Sequence, residues 1–460
     1  CDIGSTTIAM HLVSLLSGRI AGSSGTSNPQ IRFGEDLMSR VSYVMMNPDG
    51  REAMTKAVRE AINGLIGKVC EEAAVDRHDI LDMVFVANPI MHHLFLGIDP
   101  TELGQAPFAL AVSGALQYWA HEIDIDVNRG ARVYTLPCIA GHVGADAAGA
   151  TLAEGPYRQD KMMLLVDVGT NAEIVLGNRK RVVAASSPTG PAFEGAEISS
   201  GQRAAPGAIE RVRIDPQTLE PKFRVIGVDK WSDEEGFAEA ASTVGVTGIC
   251  GSAIIEVIAE MYLSGIISED GVVDGSLAER STRIIPNGRT FSYLLHDGEP
   301  RITVTQNDVR AIQLAKAALY AGIKLLMEKQ GVTHVDIIRF AGAFGSFIDP
   351  KYAMVLGLIP DCDLAEVKAV GNAAGTGALM ALLNRDHRRE IEETVRKIEK
   401  IETALESNFQ QLFIDAMAMP NKVDAFPNLS TVVTLPERKA PSEDGGGDGG
   451  GGRRRRRSRE

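Results

Sequence analysis

The sequence predicts an α/β protein made of two copies of one design. Three observations carry this. Apolar strand-like and amphipathic helix-like segments alternate along most of the chain, the pattern of α/β domains. A hairpin of strand, Asp-x-Gly-Ser/Thr turn and second strand opens the chain at Cys1-Asp2-Ile3-Gly4-Ser5-Thr6-Thr7-Ile8-Ala9-Met10. It recurs between Leu164 and Leu176, around Asp167-Val168-Gly169-Thr170-Asn171. Each hairpin is followed, after other elements, by a Gly/Ala-rich helix, Gly141 to Ala150 and Gly371 to Met380.

The remaining elements read in order. Cys1 alone precedes the first Asp, whereas Met162 to Val166 lead into the second, so the first strand is expected to continue upstream in the natural protein. No initiating Met opens the chain, which points the same way. Pro48 to Glu72 reads as an amphipathic helix carrying Val58, Ile62, Leu65, Ile66 and Val69. Asp82 to Val86 reads as a strand running into Asn88-Pro89. The uncharged stretch Leu103 to His121, interrupted by Gln105, Pro107, Ser113 and Gln117, reads as loop plus core helix and not as a membrane span.

Within the Gly/Ala-rich segments, glycine costs about 1 kcal/mol relative to alanine in a helix, so several need a reason. Gly141, Ala145 and Gly149 share one helical face, as do Gly371 and Gly375. Small residues there suit a close crossing between paired domains. An ordinary Ala-rich core helix is the alternative for either segment alone, and the paired occurrence favours the crossing. Thr305 to Gln330 is the best-marked helix, with Thr305 as cap, Asp308 three residues on, an apolar face of Val309, Ile312, Leu319, Ile323 and Leu326, and Gly331 as stop. Val335 to Phe340 is a buried strand entering Ala341-Gly342-Ala343-Phe344-Gly345-Ser346. The charge run Glu390 to Lys400 reads as a solvated helix face. These elements divide as a first domain over 1–155, a second over 160–436, and a Gly/Arg tail over 439–460 that reads as disordered.

Composition narrows the function classes. The 460 residues are 44% hydrophobic and 23% charged, with a formal net charge of −13. Lys439 to Glu460 holds seven basic and four acidic residues, so the body without this tail is more acidic still. That balance argues against nucleic acid or an anionic membrane as partner through bulk charge. Cys1, Cys70, Cys138, Cys250 and Cys362 stand alone, outside metal-ligand or redox-motif spacing. This usage suits a reducing, cytoplasmic setting, and no signal peptide opens the chain.

The chemistry is expected at three turns that each follow an apolar strand: Gly4-Ser5-Thr6-Thr7, Gly169-Thr170-Asn171, and Gly342 to Ser346. Glycine allows turns that aim several backbone N–H groups at one anion, and Ser/Thr hydroxyls add donors without bulk. Any one such turn is weak evidence, but two in duplicated hairpins, each with an Asp at the bend, point to a phosphate chain cradled from both sides. Asp2 and Asp167 would converge on Mg²⁺ through its waters, because Mg²⁺ keeps much of its hydration shell. The alternative for either Asp is a turn residue bonding its own backbone. Glu173, Glu194 and Arg203 either face the terminal phosphate or attacking water, or serve as structural loop and ion-pair residues. His92 and His93 follow a strand and either face a partner, as ligands to a metal or cofactor, or sit satisfied at a helix end.

The two hairpins, the two small-residue helices and the Ala341–Ser346 loop resemble the actin-like ATPase (ASKHA) superfamily, as its two phosphate loops, connecting helices and adenosine loop. The resemblance implies duplicated actin-like (RNase H-like) α/β domains with an interdomain nucleotide cleft. Within that superfamily, longer strings resemble the ATP-dependent reductive activators of corrinoid proteins. They are Asn28-Pro29-Gln30 with Phe33-Gly34-Glu35-Asp36 and Ser39-Arg40; Asn88-Pro89-Ile90-Met91-His92-His93-Leu94; Gly190-Pro191-Ala192-Phe193-Glu194-Gly195-Ala196; Thr247-Gly248-Ile249-Cys250-Gly251-Ser252; and Gln313-Leu314-Ala315-Lys316-Ala317-Ala318. The likeness runs from residue 1 to about Pro436, with Ala172 standing where the family usually has Gly and Gln202 where Met is common.

The resemblance implies ATP and Mg²⁺ at the cleft. Asp2, Asp167, Glu173 and Glu194 would be catalytic, with Asp2 and Asp167 toward the metal. Gly4, Ser5, Thr6, Thr7, Gly169, Thr170, Asn171, Gly342, Ala343, Gly345 and Ser346 would line the nucleotide. It further implies a corrinoid (cobalamin-binding) methyltransferase protein as partner, returned from Co(II) to Co(I), an electron donor, and a homodimer through the second half. Family members carry an N-terminal [2Fe–2S] domain; these five cysteines cannot supply its ligands, so that cluster is expected upstream or on a separate protein. A small-molecule kinase of the same superfamily and a non-enzymatic nucleotide-clamped scaffold are the alternatives.

Overall fold

The computed structural model describes residues 1–169 and 171–436. Thr170, the side chain of Ala343 and the 439–460 tail lie outside the described residues.

The first sheet comprises β1 (Asp2–Ile3), β2 (Thr7–Val13), β3 (Ile20–Ser27), β4 (Asp82–Ala87), β5 (Leu116–Trp119) and β6 (Arg132–Thr135), in the order β3-β2-β1-β4-β6-β5. The antiparallel meander β1 to β3 is extended by parallel β4 and β6, with antiparallel β5 at the edge. Helices α1 (Leu37–Met46), α2 (Gly50–Ala73), α3 (Pro89–Leu96) and α4 (Ala145–Glu154) complete this half. All five apolar residues expected along α2 are buried.

The second half repeats the arrangement. Here β7 (Met163–Val168), β8 (Ala172–Asn178) and β9 (Arg181–Ser187) form the meander. Two small three-stranded sheets follow. One joins β10 (Ala208–Ile214), β11 (Pro221–Val225) and β12 (Gly248–Ile249), the other β13 (Ile284–Asn287), β14 (Thr290–Asp297) and β15 (Arg301–Val304). Then β16 (Ile337–Ala341) and β17 (Val367–Gly371) add to β7 in parallel, and β18 (Glu399–Lys400) pairs with β9. The order β9-β8-β7-β16-β17 matches β3-β2-β1-β4-β6 strand for strand, so the duplicated α/β fold is present in the topology.

Helices here are α5 (Phe237–Ala241), α6 (Gly251–Leu263), α7 (Gln306–Gln330), α8 (Gly342–Gly345), α9 (Pro350–Leu356), α10 (Ala373–Leu383), α11 (Arg385–Val395) and α12 (Phe409–Asp415). α7 has the expected ends, a reciprocal Thr305/Asp308 capping box and Gly331 in the left-handed region at φ 69°.

The halves meet where α4 crosses α10. A Cβ on Gly377 would lie 2.0 Å from the Gly149 carbonyl oxygen, and one on Gly149 2.8 Å from that of Ala374, so only glycine permits this approach. The sequence pattern places the crossing at Gly141, Ala145 and Gly149 and at Gly371 and Gly375, and that assignment needs correction. Both helices start later, at Ala145 and Ala373. Gly141 instead passes against the Phe108 carbonyl, Gly371 ends β17, and Gly375 faces the Asn372 side chain.

Two other expectations are revised. Leu103 to His121 holds no core helix; short turns flank the edge strand β5, because Gly104, Pro107 and Gly114 break the stretch. The Glu390–Lys400 run is not only a solvated face. α11 ends at Val395, buries Ile391, and uses Glu390 to accept from Tyr157 Oη (2.9 Å) and Arg158 Nε (2.7 Å), and Glu392 to accept from Tyr134 Oη (2.9 Å). Those bonds tie the helix to the first half and the linker. Among the described residues, no helix is long and apolar enough to cross a membrane.

Candidate nucleotide site

Both hairpins end in the same kind of turn. β1 stops at Ile3 because the chain must reverse: the Gly4 N–H donates to the Thr7 carbonyl at 3.0 Å, and a Cβ on Gly4 would lie 2.6 Å from that oxygen. In the second turn the Gly169 N–H donates to the Asn171 carbonyl at 3.1 Å, and Thr189 Oγ1 donates to the Gly169 carbonyl at 2.9 Å.

The aspartates at these bends gather with two further carboxylates. Asp2, Asp146, Asp167 and Glu173 are each half-buried and near enough to disfavour one another's charge. Loss of water and then the Asp2 charge raise Asp167 to about 6. Asp146 is raised to about 7, by desolvation first, with the Asp167 and Asp2 charges adding and the Ala147 N–H opposing. Desolvation, then Asp146 and Asp167, hold Glu173 well above the ordinary carboxylate range. Asp2 is raised by desolvation, opposed by Asn372, whose Nδ2 donates to Asp2 Oδ2 at 2.9 Å. The register explains part of this crowding, since Asp167 and Glu173 stand directly opposite in the β7–β8 ladder.

The structure thus brings Asp2, Asp167 and Glu173 together. Glu194 ends the Pro191–Glu194 turn, half-buried, and Arg203 is exposed on a loop. His92 and His93 are both buried; His93 is satisfied by the Pro89 carbonyl at 2.8 Å and the Ala111 N–H at 3.2 Å, whereas neither ring nitrogen of His92 has a hydrogen-bond partner among the described residues. Asp146 and Asn372 were missed by sequence reasoning. Each sits at the start of one crossing helix, Asp146 in its first turn and Asn372 as its cap, accepting from the Gly375 N–H at 2.6 Å. A carboxylate or amide opening an otherwise Gly/Ala helix was the available signal.

The third turn closes against this cluster. Gly342 has φ +83°, and a Cβ there would lie 2.3 Å from Asp167 Oδ1, so this position accepts only glycine. Ser346 Oγ donates to the Gly342 carbonyl at 3.1 Å. Beneath it, a Cβ on Gly251 would strike both the Phe193 carbonyl and the Phe344 ring, so the Gly190–Ala196 and Thr247–Ser252 strings meet under this loop.

The donor set is all oxygen and anionic, which suits a hard divalent cation. Among the described residues, no three His, Cys, Asp or Glu side chains are placed to hold an ion directly. Mg²⁺ held through its waters and the phosphates fits that arrangement. The five cysteines are all free and scattered, four of them buried, which does not fit an iron–sulfur cluster.

Two Asp-x-Gly hairpins brought together beside a helix crossing, in duplicated sheets, define an α/β actin-like ATPase fold. Residues 1–159 match the RACo middle region, and residues 161–430 match the C-terminal domain of RACo, the ASKHA domain. The chain belongs to the RACo family. It is 33% identical over 425 residues to the corrinoid activation enzyme RamQ of Eubacterium limosum, covering 90% of this chain and 68% of that protein. It is 28% identical over 273 residues to the Co(II) methylated amine-specific corrinoid protein reductase of Methanosarcina barkeri, covering 57% of this chain and 46% of that one. Among solved structures, a reductive activator for corrinoid,iron-sulfur protein superposes with a TM-score of 0.77 at 35% identity, over 91% of this chain and 65% of that chain. This chain therefore spans about two thirds of two of these relatives and under half of the third.

Proposed function

We propose that this chain is the ATP-binding and ATP-hydrolysing part of a reductive activator that returns a corrinoid methyltransferase protein from Co(II) to Co(I). The observation that carries the reading is the four-carboxylate cleft between two phosphate hairpins, in a chain whose relatives at 28–35% identity are named corrinoid activators and reductases. Residues 1–155 and 160–436 act as two domains about the α4–α10 crossing. Gly4 to Thr7 and Gly169 to Asn171 hold the phosphates, and Gly342, Ala343, Gly345 and Ser346 border the adenosine. Asp2 and Asp167 hold Mg²⁺ through water, Glu173 with Asp146 orients the attacking water, and Glu194 approaches from its own turn. Bound Mg²⁺ supplies positive charge against the terminal phosphates and the carboxylates.

ATP binding draws the two halves together, and the closed form differs from the open one in affinity for the corrinoid partner. That difference is what allows nucleotide to bias the partner complex. Within it Co(II) accepts one electron to become Co(I). The electron comes from a donor outside residues 1–460, because no described cysteines can ligate a cluster. A homodimer through the second half belongs to the same proposal.

The test mixes the chain with a Co(II) corrinoid methyltransferase protein and a reduced iron–sulfur donor, and follows cobalt absorbance with ATP, without ATP, and with Asp167→Ala. ATP-dependent appearance of Co(I), lost in Asp167→Ala, is expected. ATP hydrolysis that never changes the cobalt state would replace this reading with a kinase or scaffold role.

A further inference from the structure

Four successive carbonyls of the first phosphate hairpin are held from behind. The Gly4 oxygen accepts from Asn28 Nδ2 at 2.8 Å, and the Ser5 oxygen from Arg40 Nη2 at 2.6 Å. The Thr6 oxygen accepts from the Asn28 N–H at 2.8 Å, and the Thr7 oxygen from the Gly4 N–H at 3.0 Å. A peptide unit is planar and trans, so its N–H points away from its C=O. Anchoring the Gly4 and Ser5 carbonyls on the inner side therefore fixes the Ser5 and Thr6 N–H groups on the opposite side. That is the arrangement by which successive amides bind an anion.

Arg40 is built for this and for little else. It is fully buried, so it cannot reach a ligand. Its Nε donates to the Gly34 carbonyl at 2.9 Å and its Nη1 contacts Met91 Sδ at 3.1 Å. Among the described residues it forms no ion pair; the nearby Asp36 caps α1, accepting from the Ser39 N–H at 2.7 Å. Gly34 presses so close to the first turn of α1 that a Cβ would lie 2.8 Å from the Arg40 nitrogen, which brings its carbonyl within reach of the guanidinium. Asn28 is similarly committed, with Oδ1 accepting from the Gln30 N–H at 2.9 Å. Burying a guanidinium against carbonyls alone is a costly way to fill a core.

We propose that Arg40, together with Asn28, is a positioning residue that presets the Ser5 and Thr6 amides for the terminal phosphates of ATP without touching the nucleotide. This rests on the nucleotide-cleft reading above and adds the device that prepares one side of it. It also accounts for the Asn28-Pro29-Gln30 and Ser39-Arg40 strings, which the cleft itself does not use.

The test is calorimetric titration of the full chain, and of its Arg40→Met, Arg40→Lys and Asn28→Ser variants, with Mg·ATP and separately with adenosine. Each variant is expected to lose about tenfold or more in Mg·ATP affinity while adenosine affinity stays at the wild-type value. Arg40→Lys keeps the charge but lacks the planar fork that spans Ser5 and Gly34, so it falls with Arg40→Met and does not rescue it. Equal losses for both ligands would mean a merely structural role and overturn the proposal. If Arg40→Met fails to fold, Asn28→Ser decides, because serine still offers an oxygen to the Gln30 N–H but lacks the amide NH2 that reaches the Gly4 carbonyl; an unchanged ratio of ATP to adenosine affinity there overturns the proposal. Wild-type chain that shows no preference for Mg·ATP over adenosine would instead overturn the nucleotide-cleft reading itself, so the two failures appear in different proteins.

Discussion

The two Asp-x-Gly hairpins share a topology and differ in what surrounds their aspartates. In the second, Asp167 stands across from Glu173; in the first, Asp2 stands across from Ala9. Like charges directly opposite in a ladder are destabilising, so the second hairpin holds within its own ladder a repulsion that the first meets only across the cleft, from Asp146 and Asp167. Asp2 keeps one oxygen on the Asn372 amide, whereas Asp167 has the bare backbone of Gly342 against it. The turns differ in the other direction. Among the described residues, the first is braced by Asn28 and a buried Arg40, and in the second the Thr189 hydroxyl donates to the Gly169 carbonyl. Duplication has thus been followed by division: one copy presents preset amides, the other concentrates negative charge that a cation would relieve.

Removing the charge tests this division most severely. Asp167→Asn is expected to lower ATP turnover about a thousandfold, and Asp2→Asn only about tenfold, because an amide at position 2 can still bond Asn372. Steady-state phosphate release measures both, and equal losses would erase the asymmetry. Next comes the crossing that both copies share. Gly377→Ala drives a methyl into the Gly149 carbonyl and should cost about 3 kcal/mol of stability. Gly375→Ala meets only the Asn372 side chain, and the roughly 1 kcal/mol by which alanine exceeds glycine in a helix opposes that contact, so little net change in stability is expected. Melting temperatures of the two variants separate a true backbone contact from a general preference for small residues in α10.

Features encoded by neighbours along the chain are legible in the sequence itself. The hairpins, α2 and both ends of α7 depend on local pattern, on caps such as Thr305, and on stops such as Gly331. Features that depend on distant segments are not. Asn372 acquires its role from Asp2, 370 residues away, and Asp146 acquires its raised pKa from burial beside Asp2 and Asp167 on two different strands. Helical spacing points to Gly375 at the crossing where the structure has Gly377, for the same reason, since only the path of α4 decides which glycine it meets. The Glu390–Lys400 run likewise reads as solvated because Tyr134, Tyr157 and Arg158 are far away in sequence.

The last expected effect concerns acid, and it sharpens the comparison by acting on the first half. His92 lies on α3, is 2% exposed, and among the described residues neither ring nitrogen has a hydrogen-bond partner. Burial, and then the neighbouring His93, hold its pKa down at about 3, against 6.5 for the free side chain. The folded protein therefore keeps this ring neutral while the unfolded chain protonates it. Its contribution to stability is whole above pH 6.5 and is lost as the pH falls toward 3, amounting to about 2 kcal/mol by pH 5. His92→Leu removes the titrating group, so denaturation midpoints measured from pH 7.5 to pH 5 should fall less steeply than in the wild type. The difference should concentrate in amide exchange of β4 and α3, while β7 and β8 follow the wild-type profile. A variant whose acid limb superposes on the wild type would show that His92 does not set the acid response of the first half.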